Sequence, residues 1–211
     1  NVTLANCTFL DGASLYVFGW RSDPPAGECA DVLISGLESR FGGVVVANRY
    51  PPGSRVTLVD SVLIAEKRVA YRDAYGLGDV SACLVVHNVN LKGSVLTIAR
   101  THVAAVFRDA VGVLVGGGVA VLSRGALYVE GLQVQTALGL CVSVEGGVAA
   151  SGGSVAAFVD SDFLLCKHAV SVRGAVSVSG SAVAFVRSDF ASTENYAVAF
   201  YSTVSLTGGS M

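Results

Sequence analysis

Two decapeptides, Ser154-Val155-Ala156-Ala157-Phe158-Val159-Asp160-Ser161-Asp162-Phe163 and Ser181-Ala182-Val183-Ala184-Phe185-Val186-Arg187-Ser188-Asp189-Phe190, are near copies of one another. Self-similarity at a short fixed period marks an architecture made by stacking one small unit, and it takes precedence over reading any single residue as a site. Aligned on this pair, a strand-like segment followed five positions later by an apolar residue occurs six times: Leu4 to Phe9, Leu58 to Leu63, Ile98 to Val103, Val129 to Val134, Phe158 to Phe163 and Phe185 to Phe190. The later copies, starting at Ile98, Val129, Phe158 and Phe185, are closely spaced and tighten toward the C-terminus. The wider gaps from Leu4 to Leu58 and from Leu58 to Ile98 predict insertions.

After each copy comes a second alternating run, such as Val142-Ser143-Val144 or Val170-Ser171-Val172. In the last four units a Gly or Ser step leads to a third, such as Val148-Ala149-Ala150 or Val176-Ser177-Val178. Alternation with period two places one face inward and one outward. Three short strands and three turns in a unit of roughly 28 residues leave no room for the helix of an ordinary parallel crossover. The economical solution is a coil in which each strand lies above its predecessor, with Val, Leu and Phe inside and Ser, Thr, Asp and Arg outside. The fold class is therefore all-β: a single-stranded parallel β-helix, a solenoid like that of the pectin lyases, with six to seven coils and lateral loop insertions.

Composition agrees. The chain has 211 residues, 52% apolar, with 25 glycines and one methionine. Such a chain suits pleated, packed strands punctuated by turns. A net charge of −2 gives no basic footprint for nucleic acid. The longest uncharged apolar stretch, Ala110 to Leu122, is interrupted by four glycines and is shorter than the roughly 18 residues of a spanning helix. No membrane span is expected within the segment.

Residues 1–211 read as one solenoid segment of a longer chain, because Gly208-Gly209-Ser210 repeats the joint Gly152-Gly153-Ser154. Insertions are expected around 20–54 and 72–80. The first, with strand-like Val32-Leu33-Ile34 and Val44-Val45-Val46, has the content of a further coil with lateral loops and can hide a seventh copy. The second reads as a loop thrown out of the solenoid. Asn6-Cys7-Thr8, Asp60-Ser61, Asp160-Ser161 and Arg187-Ser188 fall at the same turn, so they are expected to stack along one polar edge.

Five cysteines, Cys7, Cys29, Cys83, Cys141 and Cys166, include no C-x₂-C pair and make no zinc site. Their odd number prevents complete internal pairing, and buried free thiols are expected in preference to disulfides. Asp162 and Asp189 should lie on neighbouring coils, and paired carboxylates can cleave glycosides. Their recurrence within the repeat favours turn structure. An alternative enzyme reading, a polysaccharide lyase or hydrolase, would place Asp160, Asp162 or Asp189 in a concave site. The pectinase signatures are missing, however, and the likeness is in architecture alone. His87, His102 and His168 have no neighbouring nucleophile at a recognisable spacing. Gly116-Gly117-Gly118 fits no phosphate-binding pattern and reads as a tight corner. No catalytic residue, cofactor or metal is expected. Asn1-Val2-Thr3 and Asn6-Cys7-Thr8 match the N-glycosylation acceptor pattern, with Asn6, in the polar turn, favoured over Asn1.

The recurring Val-Ala-Phe-Val-x-Ser-x-Phe, the segment Cys166-Lys167-His168-Ala169-Val170-Ser171-Val172, the Gly-Gly-Ser-Val joints and the opening Asn-Val-Thr-Leu-x-Asn-Cys-Thr-Phe resemble the dispersed gene family surface proteins of trypanosomes. The resemblance spans nearly the whole chain and is clearest at 1–20 and 125–211. It implies a very long surface-associated or secreted protein with repeated β-helix regions and membrane spans far to the C-terminal side. It also implies an adhesive role without catalytic residues. The expected partners are an extracellular matrix protein or glycan, besides neighbouring coils of the same chain. A purely structural spacer is the blander alternative.

Overall fold

The computed structural model describes residues 1–9, 14–20, 24, 27–40, 43–65, 82–107, 110–136, 139–191 and 195–211. Among these every regular element is a strand, and every strand-to-strand ladder is parallel apart from an isolated antiparallel bridge between Trp20 and Arg49. Seven coils stack into three sheets. The first sheet takes one strand from each coil: Val2–Ala5, Asp31–Ser35, Arg55–Val59, Val95–Ala99, Ala126–Glu130, Val155–Val159 and Ala182–Val186. The second does the same with much shorter strands, from Thr8–Phe9 in coil one to Asp162–Leu164 in coil six and Asp189–Ala191 in coil seven. The third begins with single strands, Leu15–Phe18, Val44–Tyr50, Ala82–Lys92 and Val111–Leu122. In coils five to seven it continues as two shorter strands per coil, such as Leu140–Val144 and Val148–Ser151.

The ladder inferred from the decapeptides is the ladder observed. Leu4, Ile34, Leu58, Ile98, Val129, Phe158 and Phe185 form one column. Phe9, Ser39, Leu63, Val103, Val134, Phe163 and Phe190 form another. In the middle coils these side chains are fully buried. Phe158 stacks on Phe185 at 5.0 Å and Phe163 on Phe190 at 5.2 Å between ring centroids. Both distances are close to the strand spacing of about 4.8 Å, as expected when like residues sit directly above one another.

Residues 20–54 hold the end of coil one and all of coil two, the further coil expected there, and its first-sheet strand Asp31–Ser35 carries the hidden seventh copy, centred on Ile34. That copy is hard to see in sequence because Gly36 occupies the turn and buried Ser39 takes the place of the apolar residue. One sequence expectation needs correction: the three strands read in each unit are distributed differently. The apolar residue five positions on belongs to a strand of its own in the second sheet, while the two later runs are the halves of the third. Strands of two to four residues are too short to show alternation in sequence. The loop expected at 72–80 lies outside the described residues.

The polar edge between the first and second sheets is a left-handed corner repeated in every coil. Asn6, Gly36, Asp60, Arg100, Gly131, Asp160 and Arg187 all have φ between 45° and 61°. This conformation costs most side chains ~1–2 kcal/mol, less for Asn and Asp, and nothing for Gly. The cost is offset by an unbroken backbone ladder through the corner: Asn6 N–H donates to Ser35 O, Gly36 to Val59, Asp60 to Ala99, Arg100 to Glu130, Gly131 to Val159 and Asp160 to Val186, at 2.8–3.1 Å. The following residue turns a hydroxyl inward in several coils. Ser161 Oγ donates to Val159 O at 3.0 Å and accepts the Leu132 N–H of the preceding coil at 3.3 Å; Ser61 repeats the pattern with Val59 and Leu37.

Candidate functional site: a groove along the third sheet

The third sheet bends because its strands pass through residues that accept positive φ. These are Asn48 at 74°, Asn88 at 51°, Gly117 at 65° and Gly118 at 99°, and the ladder slips at the same places, between Ala47 and Arg49 and between Gly116 and Val119. Such bulges kink a strand and sharpen its twist. Repeated coil over coil, they make a valley on the outer surface. Glycines line its floor at Gly117, Gly118 and Gly147, and beside them a Cβ at Gly146 would collide with the Gly118 amide nitrogen.

The valley has a volume of about 640 Å³ and runs from Trp20 in coil one to Ser177 in coil six. Five steps of about 4.8 Å give it a length of roughly 24 Å along the solenoid axis. Ala120, Ala149 and Ser177, outward residues in register, form one low wall. At the head stand Trp20, His87, Asn88 and Asn90. Trp20 is held by reciprocal backbone hydrogen bonds with Arg49 at 2.8 and 3.0 Å, yet its side chain remains 44% exposed.

His87 lines the valley and is half-buried. The Asn88 Nδ2 amide donates to His87 Nε2 at 2.9 Å, which assigns the ring proton to Nδ1. Burial lowers the His87 pKa, so the ring is neutral at neutral pH. Its Nδ1 and Asn90 Oδ1 are both buried, and neither finds a hydrogen-bond partner among the described residues. Both atoms are shut off from solvent, and Nδ1 packs against Gly116 of the next coil, where an added Cβ would lie 3.1 Å from it. A Cβ at Gly117 would lie 2.5 Å from Asn88 Oδ1, so that glycine is required by space as well as by φ.

The residues singled out in the sequence lie elsewhere. Asp160 sits at the left-handed corner, where Arg187 donates to both carboxylate oxygens at 2.7 Å and holds the carboxyl below the usual range. Asp60 and Arg100 make the same pair at 2.7 and 2.9 Å. Asp162 and Asp189 are in register on the second sheet, and neither lines the valley. His102 lies on the second sheet between Val62 and Gln133. His168 stacks on Tyr196 at 5.6 Å, and its pKa is lowered by burial and by Lys167 and Arg173. Of the Gly116–Gly118 corner, Gly117 and Gly118 line the valley. Asn1 and Asn6 are both exposed, Asn6 within the corner column. Among the described residues no cluster of His, Cys, Asp and Glu could hold a metal ion, and no helix is long and apolar enough to cross a membrane.

The cysteines require another correction. Cys141 and Cys166, from successive coils, form a disulfide with Cα atoms 5.6 Å apart. Their separation of 25 residues, almost one coil, is what brings them together, and scattered spacing in sequence conceals it. Cys7, Cys29 and Cys83 are free, and burial pushes the Cys83 thiol up to about 12.

The valley was not anticipated from sequence. A signal was present: Asn48 and Asn88 are separated by the same length of chain as Arg55 and Val95, which lie in register on successive coils, so a residue tolerant of positive φ recurs at coil spacing inside two strands. Searches among curated proteins and among solved structures find no match. The profile of the DGF-1 beta-sheet domain matches residues 1–162, from coil one into coil six, and the structural repeat continues beyond it. The chain therefore belongs to the DGF-1 beta-sheet domain family, the dispersed gene family 1 of trypanosomes.

Proposed function

We propose that the chain is a non-enzymatic binding segment of a cell-surface or secreted protein, acting in adhesion to host matrix or glycan. The observation that carries this reading is the valley itself: an open surface crossing six coils, with no carboxylate among its lining residues. Glycoside cleavage ordinarily needs two flanking carboxyl groups, and Asp160, Asp162 and Asp189 lie on other faces. Exposed, rigidly spaced surfaces of this kind serve repeat proteins as binding faces. The Cys141–Cys166 disulfide supports an oxidising compartment, as at a cell surface or in secretion.

The test is adhesion. Purified chain coated on a surface is expected to retain host cells or matrix components above the level of the same chain unfolded and blocked at its thiols. Equal retention by both preparations refutes the reading. Release of reducing sugar from a polysaccharide panel by the folded chain refutes its non-enzymatic part.

A further inference from the structure

We propose that the interior of coils four to seven is a further binding site, a tubular apolar hollow that takes the unbranched alkyl tail of a single-chain amphiphile such as a fatty acid, entering at coil seven.

The hollow arises from the sizes of the inward side chains. Leu84 and Leu91 in coil three and Leu96 in coil four are fully buried and close the centre of the solenoid. Toward coil seven the side chains in the same columns shorten. Leu96 is followed by Leu127, Ala156 and Val183, and Leu91 by Val121, Ala150 and Val178. Leu127, Val144, Ala156, Val172 and Val176 point inward, yet each keeps 6–8% exposure, against 0–2% for Val56, Val86, Leu91 and Leu96 in coils three and four. The space left is a cavity of about 260 Å³. It reaches from Val115 and Leu127 to the face of coil seven, where Phe200, Leu206 and Met211 line its mouth and stand 53%, 57% and 78% exposed.

Chemistry selects an apolar ligand. Every residue lining the hollow is apolar, and the backbone groups around it are engaged in the parallel ladders. A polar ligand would be stripped of water without gaining partners, whereas a dry apolar cavity accepts hydrocarbon. Shape then selects an unbranched one. Val115, Val144, Val172 and Phe200 are in register, one per coil, so the hollow runs along the axis. Three steps of about 4.8 Å give it a length of roughly 14 Å. Spread over that length, its volume has a mean cross-section of about 19 Å², the width of one extended hydrocarbon chain. An apolar cavity of roughly 150 Å³ binds benzene, so by proportion this one holds about ten carbons. The polar head of the ligand stays in water outside coil seven.

The test uses the full chain, held monomeric at a concentration checked by sedimentation velocity. It is titrated calorimetrically with hexanoate, octanoate, decanoate, dodecanoate and hexadecanoate below their micelle concentrations. Affinity is expected to rise about fourfold per methylene as far as decanoate and to level off beyond it. The methyl resonances of Val144 and Val172 should shift on saturation with decanoate. Ala156→Leu repeats the residue found one coil earlier in its column, at Leu127. It should weaken decanoate binding by about tenfold or more while raising the urea midpoint, because it fills empty space. Ala184→Leu, which points outward from the next strand, should leave decanoate binding unchanged.

Equal affinity along the series, or decanoate binding that survives Ala156→Leu intact, overturns the site. A lower urea midpoint for Ala156→Leu overturns the hollow itself, since a filled interior is strained by added bulk. Binding to phosphatidylcholine vesicles with no free alkanoate bound overturns the single-tail ligand. Each of these results leaves the adhesive role to its own assay.

Discussion

Phe163 is the residue whose removal tests the packing most severely. Its side chain is fully buried in coil six, and its ring meets Phe190 at 5.2 Å, Phe158 at 6.1 Å and Phe185 at 6.4 Å. Truncating a buried Phe to Ala costs ~3–5 kcal/mol. Each aromatic pair adds ~0.5–1.5 kcal/mol beyond area burial. With three such neighbours, Phe163→Ala belongs near the upper end, at about 4–5 kcal/mol. Phe190, one coil further on and only partly buried, makes a useful contrast, with about half that loss. Since each coil contacts only its neighbours, the Phe163 cavity loosens coil six against both five and seven. Urea unfolding followed by circular dichroism should show a lower midpoint and an early phase with a small m-value, as the last two coils separate from the rest. A loss below about 1.5 kcal/mol for Phe163→Ala, or equal losses at the two positions, would refute the stacked-ring core.

Other perturbations probe the corners, the staple and the ends. Replacing Cys141 and Cys166 together by Ser opens a closed loop spanning 25 residues, worth about 3 kcal/mol in the chain-entropy account; an unchanged urea midpoint would contradict the pairing. Arg187 lowers the Asp160 pKa, so that pair stabilises above the unfolded carboxylate value of about 3.9, and its contribution disappears as pH falls through the lower folded value. Asp160→Asn should therefore melt slightly below the wild type at neutral pH, and the gap should close in acid and in high salt; a gap that persists in acid would be inconsistent with the ion pair. Coil seven exposes Tyr196, Phe200 and Leu206 by 53–59% along an unpaired sheet edge. The isolated 211-residue chain should self-associate in sedimentation velocity, and Leu206→Lys should shift it toward monomer; a wild type that stays monodisperse would show that this edge is harmless.

How much of this was legible in the sequence depended on the length of each signal. The decapeptide copies contain five-residue strands with clear alternation, and they fixed both inward columns residue for residue. The polar edge was equally visible, because Asn6, Asp60 and Asp160 are the residue types that tolerate its backbone. Arg100 in the same column was not, since arginine belongs there only through its pairing with Asp60, a contact between successive coils. Coil two was obscured by Gly36 and Ser39, which satisfy the corner and the core without looking like the repeat. The valley was hidden for another reason. It is made by backbone kinks and by the absence of side chains, and glycines that read individually as turns become a floor only once the coils are stacked. Likewise Cys141 and Cys166 meet because the solenoid's pitch places them together, a distance that linear spacing does not display.

Parallel stacking of like segments in register underlies every other statement about this chain, and the two decapeptides offer the most direct access to it. Nuclear Overhauser spectra of protein labelled only at phenylalanine should connect the rings of Phe158 with Phe185, and of Phe163 with Phe190, at centroid separations of 5.0 and 5.2 Å. The same spectra should link the backbone of Phe158 to the strand Ala182–Val186 in the parallel pattern. Rings that show no contact, or strands that pair antiparallel or shifted by one residue, would contradict the solenoid.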